Sequence, residues 1–127
     1  MKLLLLASAG GAIGAGLRFL VNQAFAERGL IAFPWPTLAV NVAGGFLMGV
    51  FFVVLHERLG GSPEWRTFLA TGILGGLTTF SAYSHDMMNL LTVDGLGLRF
   101  FAYTLGSVIL AFAALASGMW LARTVIA

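Results

Sequence analysis

The sequence predicts an all-α membrane protein in which four helices cross the bilayer and no soluble domain is left over. Three observations carry that prediction. Of the 127 residues, 59% are hydrophobic and only 9% charged, and the mean hydropathy is +0.95. A soluble domain carries roughly 25% charged residues, and a chain this short exposes too much of its surface to hide the apolar excess. Most of the charges fall between four long apolar stretches, and the polar segments that separate those stretches are short. This pattern excludes a water-soluble enzyme domain, a nucleic-acid module and a disordered tail. The formal net charge is only +2, with no run of Lys or Arg to grip phosphates. Cysteine is absent, which removes disulfides, thiolate metal sites and thiol nucleophiles from consideration.

A spanning helix needs roughly 20 mostly apolar residues. The first candidate runs from Leu3 to about Phe25, interrupted only by Arg18, Asn22 and Gln23. Lys2, the leucines at 3–6 and Ala7-Ser8-Ala9 imitate a signal peptide. The apolar core before that cleavage-like site is too short, below about 7–15 residues, so an uncleaved first helix is expected. The second stretch lies between Arg28 and His56, with Pro34 and Pro36 marking where a loop gives way to a helix near Thr37 to Leu55. A polar loop around Gly60-Gly61-Ser62-Pro63 leads into a third segment from Arg66 to Leu91, and Thr92-Val93-Asp94-Gly95 reads as a turn. The fourth stretch, from Phe100 to Ala122, is uncharged. The expected organisation is one four-helix transmembrane domain over 1–127, with helices near 3–25, 37–55, 66–91 and 99–123.

With a cytoplasmic N-terminus, Lys2, Arg58, Arg66 and Arg123 fall inside, Arg28 and Arg99 outside, and Arg18 in the outer half of the first helix. That bias is weak under the positive-inside rule, and it leaves open both a single orientation and dual topology, with copies inserted both ways. Four helices fill their own core with side chains, so a conduit forms more easily between copies, and a homo-oligomer is expected. Gly10-x-x-x-Gly14, Gly45-x-x-x-Gly49 and Gly72-x-x-x-Gly76 place small residues on one helix face, where backbones can approach. Each motif taken singly is accounted for by packing within one subunit.

Polar residues at bilayer depth are costly and become functional candidates. Asn41 brings two donors and an acceptor to the second helix, either for an interhelical bond or for a ligand. Arg18 snorkels, caps a helix end or attracts an anion. The densest cluster runs from Thr71 to Asp86. Gly75-Gly76 followed by Thr78-Thr79 makes a poor continuous helix, and a helix broken at membrane depth is tolerated only inside protein or beside a cavity. The competing explanation is glycine packing with hydroxyls bonded back to i−4 carbonyls. Phe80 and Tyr83 share a face beyond the break, as do Ser81, Ser84 and His85. Ser107 and, one turn before it, Tyr103 give the fourth helix two hydroxyls. No acid lies in the interior of the first, second or fourth stretch, and no nucleophile sits beside a base, which argues against an enzyme. Neutral donors and aromatic edges suit a passive path for a small anion, and the scarcity of Lys and Arg speaks against bulky anions such as phosphate.

Three segments together resemble the CrcB/Fluc fluoride channels. They are Gly11-Ala12-Ile13-Gly14-Ala15-Gly16-Leu17-Arg18-Phe19, the run from Pro36 through Asn41 to Gly49, and the run from Thr71 to Ser81, in that order along the chain. The resemblance implies a bacterial inner-membrane, antiparallel homodimer with two pores that export fluoride from the cytoplasm. It also implies a structural, untransported Na⁺ at the dimer centre, held by the main-chain carbonyls of Gly75 and Thr78. By motif position, the implied pore residues are Asn41, Phe80, Tyr83, Ser107 and Ser81, with Arg18 near an anion vestibule and Asp86 near a pore entrance. The implied partners are fluoride, a second copy and the lipid bilayer, with neither nucleic acid nor another protein. Two positions depart from the family pattern: Tyr83 stands where Phe is usual, and Ala111 where some members carry Thr. A phenol hydroxyl at 83 either donates to the ion or narrows its path. The alternatives are a small proton-coupled multidrug transporter, which needs a membrane glutamate that the first helix lacks, and a non-conducting accessory subunit.

Overall fold

The computed structural model describes residues 1–58 and 60–126, and every regular element among them is helical. Helix α1 spans Lys2–Glu27, and α2 spans Trp35–Phe52 and continues as a π-helical turn over Val53–Arg58. The short α3, Pro63–Trp65, leads into a π-helical stretch, Arg66–Leu74, and then α4, Gly75–Leu77. Helix α5 spans Phe80–Asp94 and α6 spans Leu98–Ile126. Among the described residues, three helices are long and apolar enough to cross a membrane: Lys2–Glu27, Trp35–Glu57 and Leu98–Val125. The chain is therefore a multi-pass membrane protein. Its third apolar segment is divided into two pieces instead of forming one long helix.

The ends of these helices follow from local chemistry. At the end of α1, Gly29 adopts φ +69, and its amide bonds to the Ala26 carbonyl while that of Leu30 bonds to Phe25. This paired closure needs a left-handed residue, which glycine supplies without strain. Arg28 Nη1 donates to the Ala24 carbonyl at 2.8 Å, which satisfies another terminal acceptor. Helix α2 starts at Trp35 behind Pro34, with Pro36 in its first turn, where a missing amide costs nothing.

The glycine motifs pack the chain against itself. A Cβ on Gly10 or Gly14 would strike the carbonyls of Phe68 and Ile73, and one on Gly72 or Gly76 would strike the backbone of α1 near Ala7 and Gly11. Gly45 would put a Cβ 2.7 Å from the Ala111 carbonyl, Gly49 meets Leu115 in the same way, and Gly118 of α6 abuts the Phe46 carbonyl of α2. Thus α1 lies backbone to backbone on the 66–77 segment, and α2 on α6. Dispersion between closely approaching backbones replaces the hydrophobic drive that lipid removes.

Ion pairs tie down one end of the bundle: Lys2 to Glu64 at 3.1 Å and Arg123 to Glu57 at 2.6 Å. Its own backbone amide, then the Lys2 ammonium and the Ser62 hydroxyl, hold the Glu64 carboxyl below the usual range. At the other end Arg99 meets Asp94 at 3.0 Å. Buried residues are few. Val40, Leu74 and Leu77 form one cluster, and Tyr83, Leu90 and Tyr103 another, with Phe33 and Leu38 packed against the second.

Candidate ion-binding groove

The site begins where the helix stops. Thr78 (φ −81, ψ 154) and Thr79 (φ −154, ψ 129) are extended, separating α4 from α5. Thr78 closes α4 by donating both its amide and its hydroxyl to the Leu74 carbonyl, at 2.9 and 2.7 Å. Thr79 opens α5, its Oγ1 accepting from the Ala82 amide at 3.1 Å. Asn41 reaches across from α2 and pairs with the Thr79 peptide on both sides. Its Oδ1 accepts the Thr79 amide at 2.8 Å, and its Nδ2 donates to the Thr79 carbonyl at 3.0 Å. Gly44 makes this approach possible, because a Cβ there would collide with the Thr78 methyl.

The diverted amides free two carbonyls. In an unbroken helix the Thr79 amide would bond to Gly75 and the Ala82 amide to Thr78. Here the first goes to Asn41 and the second to the Thr79 hydroxyl. These two amides therefore do not serve the carbonyls of Gly75 and Thr78.

Beside the break lies an open groove of about 350 Å³. Asn41, Gly44, Gly45 and Met48 of α2 line it together with Thr78, Thr79, Phe80, Tyr83, and Ser107, Val108, Ala111 and Leu115 of α6. Four residues singled out in the sequence, Asn41, Phe80, Tyr83 and Ser107, therefore come together on three helices. Ser107 is only 4% exposed, and its Oγ has no hydrogen-bond partner among the described residues. An amide nitrogen carries two protons, so Asn41 keeps one after serving Thr79. No lining residue is charged. Ala111 contributes an apolar wall one turn beyond Ser107.

The two aromatics differ in setting. Phe80 is 76% exposed, whereas Tyr83 is buried, and their ring centroids lie 5.5 Å apart. The Tyr83 hydroxyl donates to the Thr104 carbonyl of α6 at 2.8 Å. Its proton is thus committed to the protein, and the groove sees the ring.

The remaining sequence candidates stand outside the lining. Ser81 is exposed, its hydroxyl 3.1 Å from that of Thr79. Arg18 is half-buried on α1. Asp86 lies one turn beyond Tyr83, where its Oδ2 accepts the hydroxyls of Thr37 at 2.6 Å and Tyr103 at 3.1 Å. His85 also comes within 3.9 Å of Asp86, although sequence neighbours on a helix point to different faces. Ser84 bonds back to the Phe80 carbonyl at 3.0 Å, the local arrangement expected of a helical hydroxyl. Sequence reasoning passed over Thr37; its spacing of four residues before Asn41 on one helix face was the available signal.

Comparison with known proteins bears on this geometry. A family model described as CrcB-like protein, Camphor Resistance (CrcB), matches residues 5–119. The chain is 50% identical over 121 residues to the fluoride-specific ion channel FluC of Mesorhizobium japonicum, covering 95% of this chain and 96% of that one. It is 45% identical over 130 residues to the FluC of Rhizobium meliloti, covering 99% and 100%. With the FluC of Aquifex aeolicus it shares 50% identity over 101 residues, 80% and 81% of the two chains.

Proposed function

Because this chain belongs to the CrcB family, we propose that it is a fluoride-specific ion channel, a passive conduit that lets fluoride leave the cytoplasm across a bacterial inner membrane. The observation that carries the reading is the uncharged groove that brings Asn41, Phe80, Tyr83 and Ser107 together, with the Ser107 hydroxyl buried and unpartnered at its wall. Fluoride is small and holds water tightly, so a path must supply donors as water is shed. It must also hold the ion weakly enough to release it. A lysine or arginine here would trap the ion. A hydroxyl, an amide proton and the positive edges of Phe80 and Tyr83 attract it more gently.

The groove is open on one side, and Phe80 stands exposed beside it. An antiparallel second copy would close it, giving two equivalent pores per dimer. The freed carbonyls of Gly75 and Thr78 fit a structural Na⁺ shared between the two copies, because hard cations favour oxygen ligands. Such an ion would neutralise carbonyl dipoles and fix the break, while Asn41 holds it from the α2 side. Arg18 would then sit near a vestibule and Asp86 near a pore entrance.

The test uses purified protein in liposomes loaded with potassium fluoride. Addition of a potassium ionophore should release fluoride rapidly, and at the same rate with or without a proton gradient. Flux that requires the proton gradient would instead support a proton-coupled transporter.

A further inference from the structure

Each helix lining the groove also supplies the residue one turn farther along it. Thr37 lies four before Asn41 on α2, Asp86 three after Tyr83 on α5, and Tyr103 four before Ser107 on α6. The three meet through Asp86 Oδ2, which accepts both hydroxyls. They sit one turn beyond the groove lining, on the side where residues 28–34 connect α1 to α2.

The Tyr103 ring is completely buried. On one side its centroid is 5.4 Å from that of Tyr83. On the other, Phe33 meets it perpendicularly at 5.6 Å, and Phe33 in turn lies 4.7 Å from Trp35. With the Phe80–Tyr83 contact, rings run without interruption from the groove to the start of α2. Phe33 is held in place by its own backbone, its carbonyl accepting the Trp35 amide at 2.7 Å.

The Tyr103 hydroxyl bond to Asp86 does not by itself fix the ring. The para oxygen lies on the axis about which a tyrosine ring turns, so a bond there leaves that rotation free. Only lateral contacts stop it: Leu90, Leu38, Met87 and Phe100 share its apolar cluster, and Phe33 supplies the perpendicular ring. A perpendicular aromatic pair is worth on the order of 1 kcal/mol beyond its area, enough to select one ring orientation.

We propose that Phe33 is a positioning residue for permeation: by fixing the Tyr103 ring it sets the hydroxyl–carboxylate layer that an ion meets next beyond Ser107. The inference rests on the fluoride-channel reading. Phe33 acts through Tyr103 and needs no contact with the ion.

The experiment compares full-length wild type, Phe33→Leu and Phe33→Tyr in fluoride-loaded liposomes, alongside thermal midpoints of the purified proteins. Leucine keeps the apolar bulk and removes the ring; tyrosine keeps the ring. Phe33→Leu is expected to slow fluoride efflux about fivefold with its midpoint close to that of wild type, and Phe33→Tyr to restore the rate. Phe33→Met serves as the ringless variant if the leucine protein does not assemble. Efflux at the wild-type rate without the ring would overturn the proposal. So would a loss that tracks a lowered midpoint, or one that the tyrosine variant shares. Failure of the wild type itself to release fluoride would overturn the channel reading instead, so the two failures are distinguishable.

Discussion

Asn41 does two jobs with one side chain, and its chemistry makes them separable. It pairs with both sides of the Thr79 peptide and keeps one proton for the groove. In Asn41→Asp the Thr79 amide retains an acceptor, but a carboxylate oxygen then faces the Thr79 carbonyl and negative charge enters the groove. Fluoride efflux should fall to background, and the lost hydrogen bond should lower stability by about 1–3 kcal/mol; undiminished efflux would remove Asn41 from the path. Tyr83 gives the opposite expectation. Its hydroxyl is spent on the Thr104 carbonyl, so Tyr83→Phe deletes a strut between α5 and α6 and keeps the ring edge. Efflux in liposomes should stay within about fivefold of wild type, since a neutral hydrogen bond contributes only about 1 kcal/mol. A tenfold loss would mean that the phenol proton serves the ion. At this scale Asn41, Phe80, Tyr83 and Ser107 were legible as polar or aromatic residues out of place in an apolar chain. The partner of the Tyr83 hydroxyl was not, because a backbone carbonyl twenty-one residues away leaves no mark in side-chain identity. Thr37 and Phe33 were missed for a related reason: each lies where loop gives way to helix and looks ordinary until Asp86 and Tyr103 are brought beside it.

Among the elements, the divided third segment was foreseeable from Gly75-Gly76 and Thr78-Thr79, since consecutive glycines and threonines make a weak helix. The π-helical runs at Val53–Arg58 and Arg66–Leu74 left no such trace, because extra residues per turn are set by packing and not by propensity. The glycine spacing announced close packing, while its pairing emerged only from the fold: α1 on the 66–77 segment, and α2 on α6. Gly49 lies against the Leu115 carbonyl, with backbone on both sides and nothing flexible to yield. Gly49→Ala should therefore lower the thermal midpoint by the equivalent of about 1–3 kcal/mol, measured by detergent-solubilised melting, and an unchanged midpoint would show that α2 and α6 can separate freely. The freed carbonyls of Gly75 and Thr78 yield a prediction for the break itself. Complete replacement of Na⁺ by a large organic cation should abolish fluoride efflux and restore it on readdition. Indifference to Na⁺ would leave those carbonyls to be satisfied within the protein.

For the whole molecule, composition alone established a small multi-pass membrane protein, and the structure supplies the reason that smallness is compatible with transport. The groove forms on the outside of one copy, beside exposed Phe80, instead of through the centre of a four-helix bundle that its own side chains fill. Charge is nearly absent from that groove and concentrated at the ends, where Lys2, Glu57, Glu64 and Arg123 pair across elements. The ion pairs therefore lie away from the groove, whose lining carries only neutral donors, rings and apolar walls. The weak lysine and arginine bias leaves orientation open, since helices inserted either way present similar charge. Whether these neutral donors pass fluoride selectively is read by simultaneous electrode recording of fluoride and chloride release from liposomes loaded with both, after a potassium ionophore is added. Fluoride should leave rapidly while chloride stays inside; release of both ions together, or of neither, would show that the groove does not select fluoride.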